Sequence, residues 1–173
     1  MMVRIFLTAT LLLTTTDAFS AGIPITADVY FSPNGGAADA VIREIDHAKS
    51  EIRVQAYSFT HAGIAKALAN AEKRGVNVEV ILDKSNRSSR YSAADFVSHA
   101  GIPTYIDARH AIAHNKIIII DREEVLTGSF NFTKGADENN AENLLVLRSR
   151  GLAKIYLNNW QHHEEHSSPY DGH

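Results

Sequence analysis

A single α/β domain, with a mixed sheet flanked by helices, is the fold that this sequence predicts, and three observations predict it. In the first half, apolar residues recur by turns at helical and at strand spacing, a pattern that favours parallel strands joined by helices. In the second half, short apolar runs are separated by tight turns, as in hairpins. A length of 173 residues with 45% hydrophobic content suits one core and leaves little material for a second.

Residues 1–20, MMVRIFLTATLLLTTTDAFS, are expected to form a secretory signal peptide. Arg4 gives the positive start, Ile5 to Leu13 the apolar run, and Ala18 and Ser20 the small residues for cleavage near Ser20. The run is far shorter than the roughly 20 residues that span a bilayer. The mature chain, residues 21–173, is therefore expected in the periplasm or outside the cell, with no stable membrane association.

Along the mature chain, a Pro33-Asn34-Gly35-Gly36 turn precedes Val41, Ile42, Ile45 and Ala48 at helical spacing, and Ile52, Val54 and Ala56 then alternate as a strand does. Thr60 is the expected N-cap of a second helix with Ile64, Leu68 and Ala71 on its apolar stripe, stopped at Gly75. Val76 to Leu82 follow as a strand. Ser92 is placed to cap a short third helix ending near Gly101, and IPTYID is the next strand. HNKIIIID and EVLTGSFN read as two strands around a tight turn, AENLLVLRS as another, and Leu152 to Gln161 as a closing amphipathic helix carrying Trp160.

The stretch HNKIIIIDREEVLTGSFNFTK, residues 114–134, holds polar groups that a buried strand does not need and that cost free energy if hidden without partners. With residues 114–120 in a strand, alternation sends His114 and Lys116 to one face, while Asp121 has the opposite parity and is expected to be structural. Ser129 and Asn131 share a face by the same rule, with Phe130 and Phe132 turned towards the core, and Gly128 permits close backbone approach. An imidazole able to attack, a fixed cation, and two neutral hydrogen-bonders for the non-bridging oxygens are what displacement at a phosphate ester requires.

The pattern His-x-Lys-(x)4-Asp at His114, Lys116 and Asp121, followed by Gly-Ser-x-Asn at Gly128, Ser129 and Asn131, resembles the phospholipase D superfamily. With average residue usage the first pattern arises by accident in such a chain with a probability on the order of 1%. The resemblance extends through AYSFT (Ala56 to Thr60), GSFNFTK and NAEN (Asn140 to Asn143), and is nearest to the small secreted bacterial endonucleases of that superfamily. It implies a phospholipase D-like fold, a phosphohistidine intermediate, two-step hydrolysis, no metal or other cofactor, and a carboxylate that orients a catalytic histidine, matched here by Glu142.

Displacement needs one histidine to attack and an acid to protonate the leaving oxygen, yet the chain holds one motif. A second copy is expected from a partner chain, in a homodimer that brings two His114 residues together across a shared cleft. Two such imidazoles titrate as a coupled pair, so turnover is expected to follow a bell-shaped pH profile.

Removing residues 1–20 takes away Arg4 and Asp17, one charge of each sign, and the net charge stays at −3. A polyanion partner then requires positive groups gathered locally. Lys116 from both subunits would do this, together with Lys84, Arg87 and Arg90 of the loop KSNRSSR. Tyr57 and Phe59 are candidates to stack on bases, although aromatic residues at a strand end lie more often in the core. The tail HHEEH offers His162 and His166 on one helix face, but it is not a His-Glu-x-x-His arrangement, and a frayed, solvated end without metal is expected. The leading expectation is an endonuclease acting on DNA, and on RNA as a further substrate. The alternatives are a lipid phosphodiesterase and a nucleic-acid-binding module without turnover.

Overall fold

The computed structural model describes residues 22–88 and 92–172, so residues 1–20 and the cleavage expected after them lie outside the described residues. Eight strands form one sheet in the order β1-β7-β6-β5-β2-β3-β4-β8. They are β1 (Thr26–Ser32), β2 (Glu51–Ala56), β3 (Asn77–Asp83), β4 (Thr104–Asp107), β5 (Lys116–Ile120), β6 (Glu124–Gly128), β7 (Glu142–Arg148) and β8 (Ser168–Pro169). The helices are α1 (Ala37–His47), α2 (Ala62–Lys73), α3 (Ala94–His99), α4 (Lys134–Glu138) and α5 (Arg150–Glu164). β2, β3 and β4 run parallel and every other pairing is antiparallel, so the sheet is mixed.

Strand alternation divides the core into two layers. Ile52, Val54, Val80, Leu82, Ile118, Leu126 and Val146 pack on one face with Val41 and Ile45 of α1 and Ile64 and Leu68 of α2. Ile81, Ile117, Ile119 and Val125 pack on the other, against Ala153, Leu157 and Trp160 of α5. The run of four isoleucines in β5 is apolar throughout because both of its faces are covered. Each fully buried side chain of this kind contributes roughly 1.5–3 kcal/mol. The Trp160 indole N–H donates to the Val54 carbonyl at 2.9 Å, so the largest buried side chain also has its polar atom satisfied.

Several local expectations change. His61, not Thr60, caps α2, its Nδ1 accepting from the Ile64 N–H at 3.2 Å. β5 begins at Lys116 and β6 ends at Gly128, so His114 precedes its strand and Ser129 and Asn131 follow theirs. The alternation survives beyond β6: Phe130 and Phe132 are buried and Ser129 is exposed. Neither β1 nor α4 is announced by the sequence pattern. β1 is an edge strand with most of its residues exposed, which leaves no buried stripe to read.

The pairing directions bring one set of ends to the same edge. Ser32, Ala56, Asp83, Asp107 and Gly128 end their strands there, and Lys116 and Glu142 begin theirs. The residues singled out for chemistry therefore meet at the carboxyl edge of the parallel strands, where open α/β sheets hold their ligands.

Candidate active site

Lys116 opens β5 opposite Ala56 and is 8% exposed, so its stem lies in the core and its ammonium emerges at the edge. Nζ stands 3.3 Å from Nδ1 and 3.3 Å from Nε2 of His114, and donates to the His114 carbonyl at 3.0 Å. The Tyr57 ring closes the other side, with centroids 4.6 Å apart from the His114 ring and 5.4 Å from Nζ. Burial lowers the Lys116 pKa from its ordinary value, and the Glu142 charge acts in the opposite sense. An ammonium donating to an imidazole nitrogen needs a free lone pair there, which a neutral ring has and a doubly protonated one lacks.

The loop leading into His114 is fixed from beneath. The Asp83 carboxylate accepts from the Ala113 N–H at 2.7 Å and from the Ser85 N–H at 2.9 Å. Asn86, buried, donates to the Tyr57 carbonyl at 2.7 Å, and Asn115 donates to Gln55 Oε1 at 2.9 Å. No sequence signal marks Asp83, Asn86 or Gln55; the parallel pairing of β2 and β3 is what brings them together beneath the loop.

Ser129 Oγ accepts from the Asn143 N–H at 3.1 Å and its side-chain amide at 3.3 Å, leaving the hydroxyl hydrogen for an outside acceptor. Asn131 is half-buried, and its Oδ1 is buried without a hydrogen-bond partner. Such an orphaned acceptor costs about 1–3 kcal/mol, and it is the Asn131 Nδ2 amide, not this oxygen, that can donate to a phosphate oxygen. Gly128 has φ 154°, and a Cβ there would lie 2.3 Å from the Asn143 carbonyl oxygen. Only glycine lets β6 and β7 come this close. Glu142 accepts from Asn140 Nδ2 at 3.2 Å and makes no hydrogen bond with His114 of its own chain.

The remaining candidates divide sharply. Asp121 lies at the opposite end of β5, roughly 17 Å of strand from Lys116. There it accepts from the backbone of Lys49 (3.0 Å), Ser50 (2.8 Å) and Glu51 (3.1 Å) and from Ser50 Oγ (2.8 Å). Burial raises its pKa, but these four donors outweigh that and hold it below the usual carboxylate range. Phe59 is fully buried beside Phe132, so the expectation that it stacks on bases is corrected. Lys84 donates to the His110 carbonyl at 3.1 Å and Arg87 to Ser168 Oγ at 2.9 Å, directing both towards the chain. Arg90 lies outside the described residues.

The frayed tail is also corrected: α5 continues to Glu164, and His163 and His166 turn inwards onto Asp107. His162, expected to pair with His166, faces solvent beside Glu165. Asp107 is fully buried, and burial alone would raise its pKa. Hydrogen bonds from His163, the Arg109 N–H and His110 prevail and hold it at about 2.

A mixed sheet whose edge gathers an exposed imidazole, a buried-stem ammonium, a half-buried amide and a hydroxyl with its hydrogen free belongs to the class of phosphate-handling α/β folds. Residues 41–163 match the family model described as "Cardiolipin synthase, PLD-like domain". A phospholipase D of Rickettsia felis is 46% identical over 130 residues, 75% of this chain; the chain spans 65% of that relative's length. The solved structure of Nuc from Salmonella typhimurium, titled a phospholipase D family member, superposes with a TM-score of 0.82 at 41% identity, over 85% of this chain and 99% of that one. NucT from Helicobacter pylori superposes at 0.79 with 25% identity, over 85% of this chain and all of the other. The chain belongs to the phospholipase D family.

Proposed function

We propose that the protein is a metal-independent phosphodiesterase that acts as an endonuclease on DNA, and on RNA as a further substrate, working as a homodimer outside the cytoplasm. The observation that carries the reading is the Lys116 ammonium 3.3 Å from both nitrogens of an exposed His114 ring. One neutral imidazole attacks phosphorus and the ester P–O bond breaks. The leaving oxygen takes a proton from the imidazolium of the partner's His114. Water then attacks the phosphohistidine, giving its proton back to that second imidazole as the P–N bond breaks. Lys116, Ser129 and Asn131 stabilise the charge that develops on the non-bridging oxygens.

Pairing is favoured by two exposed apolar side chains beside the site. Phe31, 59% exposed, lies opposite Asn143 next to Glu142, and Ile112, 56% exposed, is two residues from His114. A two-fold axis there would bury both and double the positive charge at the cleft, which offsets the net charge of −3. Glu142, which does not bond to its own His114, then has a partner imidazole to orient.

A lipid phosphodiesterase is the second reading, favoured by relatives named phospholipase D and, at 27% identity, mitochondrial cardiolipin hydrolase of Mus musculus. Among the described residues no helix is long and apolar enough to cross a membrane. Purified protein is incubated with plasmid DNA, phosphatidyl-lipid vesicles and an aryl phosphodiester, with chelator added at the start of each assay. Plasmid cleavage that disappears in His114→Ala supports the nuclease reading; intact DNA beside hydrolysed lipid overturns it, and binding without cleavage of any substrate overturns both.

A further inference from the structure

A second constellation of histidines stands at the same edge of the sheet, and the chemistry of the active site makes no use of it. Asp107 ends β4, His110 lies in the loop that runs on to His114, and His163 and His166 come from the end of α5 and the turn after it. Asp107 Oδ2 is 2.8 Å from His163 Nδ1, 3.1 Å from His110 Nδ1 and 3.4 Å from His166 Nε2. One donor atom from each of the four residues lies within 4.8 Å of all the others.

A carboxylate and its hydrogen bonds do not account for this arrangement. Oδ1 accepts from the Arg109 N–H at 3.1 Å, which fixes the carboxylate plane and leaves Oδ2 facing the rings. His163 and His110 can both donate to the carboxylate, but His166 Nε2, although buried, approaches Oδ2 only to 3.4 Å, the longest of the three contacts, and makes no hydrogen bond of regular geometry. The three rings also form a nearly equilateral triangle, with centroid separations of 5.0, 5.3 and 5.4 Å. Around a tetrahedral ion with metal–nitrogen bonds of about 2.05 Å, imidazole centroids stand about 5.2 Å apart and neighbouring ligand atoms about 3.3 Å apart. The ring separations fall on those values and the three oxygen–nitrogen distances lie near them, while the four donor atoms, within 4.8 Å of one another, have to draw inwards around the ion.

We propose that Asp107, His110, His163 and His166 form a structural site for a divalent transition metal of the zinc class. Three imidazoles and one carboxylate suit zinc, and with all four positions supplied by protein the site is closed and holds no open position for substrate or activated water. Two of the four residues are held from behind, since the Arg109 N–H fixes the Asp107 carboxylate and Lys84 donates to the His110 carbonyl at 3.1 Å. The bound ion ties the end of α5 to the loop four residues before His114, across 56 residues of sequence between Asp107 and His163. Phosphodiester chemistry needs nothing from it, so the proposal stands or falls apart from the reading of the active site.

The test uses the full mature chain, stripped by prolonged dialysis against chelator and titrated with cobalt(II) and then with zinc. Expected are one equivalent of metal per chain, the visible bands of tetrahedral cobalt, and a zinc-dependent rise in the thermal midpoint. His166→Ala weakens binding by about 100-fold or more and abolishes that rise, while His162→Ala, one residue from His163 but turned to solvent, keeps both. Absence of stoichiometric binding at micromolar metal leaves a hydrogen-bonded cluster only and overturns the proposal, as does equal loss in the two variants. Should His166→Ala not fold, X-ray absorption of the zinc-loaded wild type decides: three imidazoles and one oxygen support the site, and a six-coordinate, water-rich shell overturns it.

Discussion

His114 and His163 lie at the same edge of one sheet, yet their surroundings are opposite. His114 is exposed, with an ammonium 3.3 Å from each ring nitrogen and, among the described residues, no carboxylate bonded to it. His163 is largely enclosed, 2.8 Å from a fully buried carboxylate and in ring contact with two further imidazoles. The same side chain is thereby suited to different work. Beside a cation an imidazole can present a free lone pair to an electrophile. Beside an anion it is held as a donor or, as inferred above, as a ligand.

The contrast is broken most directly by exchanging the losses. His114→Ala should lower phosphodiester cleavage by roughly 10⁴-fold or more, the scale on which removal of a nucleophile acts, with an unchanged thermal midpoint. His163→Ala should do the reverse, lowering the midpoint while cleavage per folded molecule stays within a few-fold. Paired single-turnover and melting measurements on the two variants check this. If both lose activity equally at equal stability, the division of labour fails.

Lys116→Met sharpens the first half of the comparison. Its loss should cost roughly 10²–10³ in kcat, the range for one donor to developing charge. Burial lowers the Lys116 pKa, so its proton leaves at a lower pH than that of an exposed lysine, and its loss should add a second fall in rate on the alkaline side of the limb that the imidazolium sets. Lys116→Arg should not restore full rate, because a planar guanidinium cannot occupy the point the ammonium holds between the ring nitrogens.

Two further substitutions measure support rather than chemistry. Gly128→Ala forces a Cβ within 2.3 Å of the Asn143 carbonyl oxygen and should destabilise the fold by roughly 2–3 kcal/mol in urea titration. Asp121→Asn should cost roughly 2 kcal/mol near neutral pH. Because the folded carboxyl titrates below the unfolded one, its stabilisation is present above the unfolded pKa, about 3.9, and is lost as pH falls through the lower folded value. The variant should therefore show a flatter stability profile than wild type below about pH 4, as read by urea titrations across that range.

How legible all this was in the sequence depends on how local each signal is. The His-x-Lys spacing predicts two residues on one face by strand alternation, and the 3.3 Å contacts are present although β5 starts two residues after His114, where the hydrogen-bonded loop and not the strand holds the ring. The alternation and caps of β2, α2 and β3 are local in the same way and lie close to their expected bounds, with the cap moved from Thr60 to His61. β1 was not legible, because an edge strand with exposed side chains carries no apolar period. The metal-ligating cluster was not legible either. Its two pairs, Asp107 with His110 and His163 with His166, are each spaced three apart, but only the docking of α5's end beside β4 turns two weak signals into one site. The place of Phe59 was only half legible, because an aromatic residue at a strand end gives the same pattern in a core, where it lies, and in a binding cleft.

A chain with one His-x-Lys-(x)4-Asp motif, and so one attacking imidazole at the site, requires a second chain under the proposed function. Analytical sedimentation combined with activity per subunit, followed through a dilution series, tests it directly. The account predicts that specific activity falls in parallel with the two-chain species as it dissociates. A lone subunit that keeps full specific activity at every concentration would contradict it.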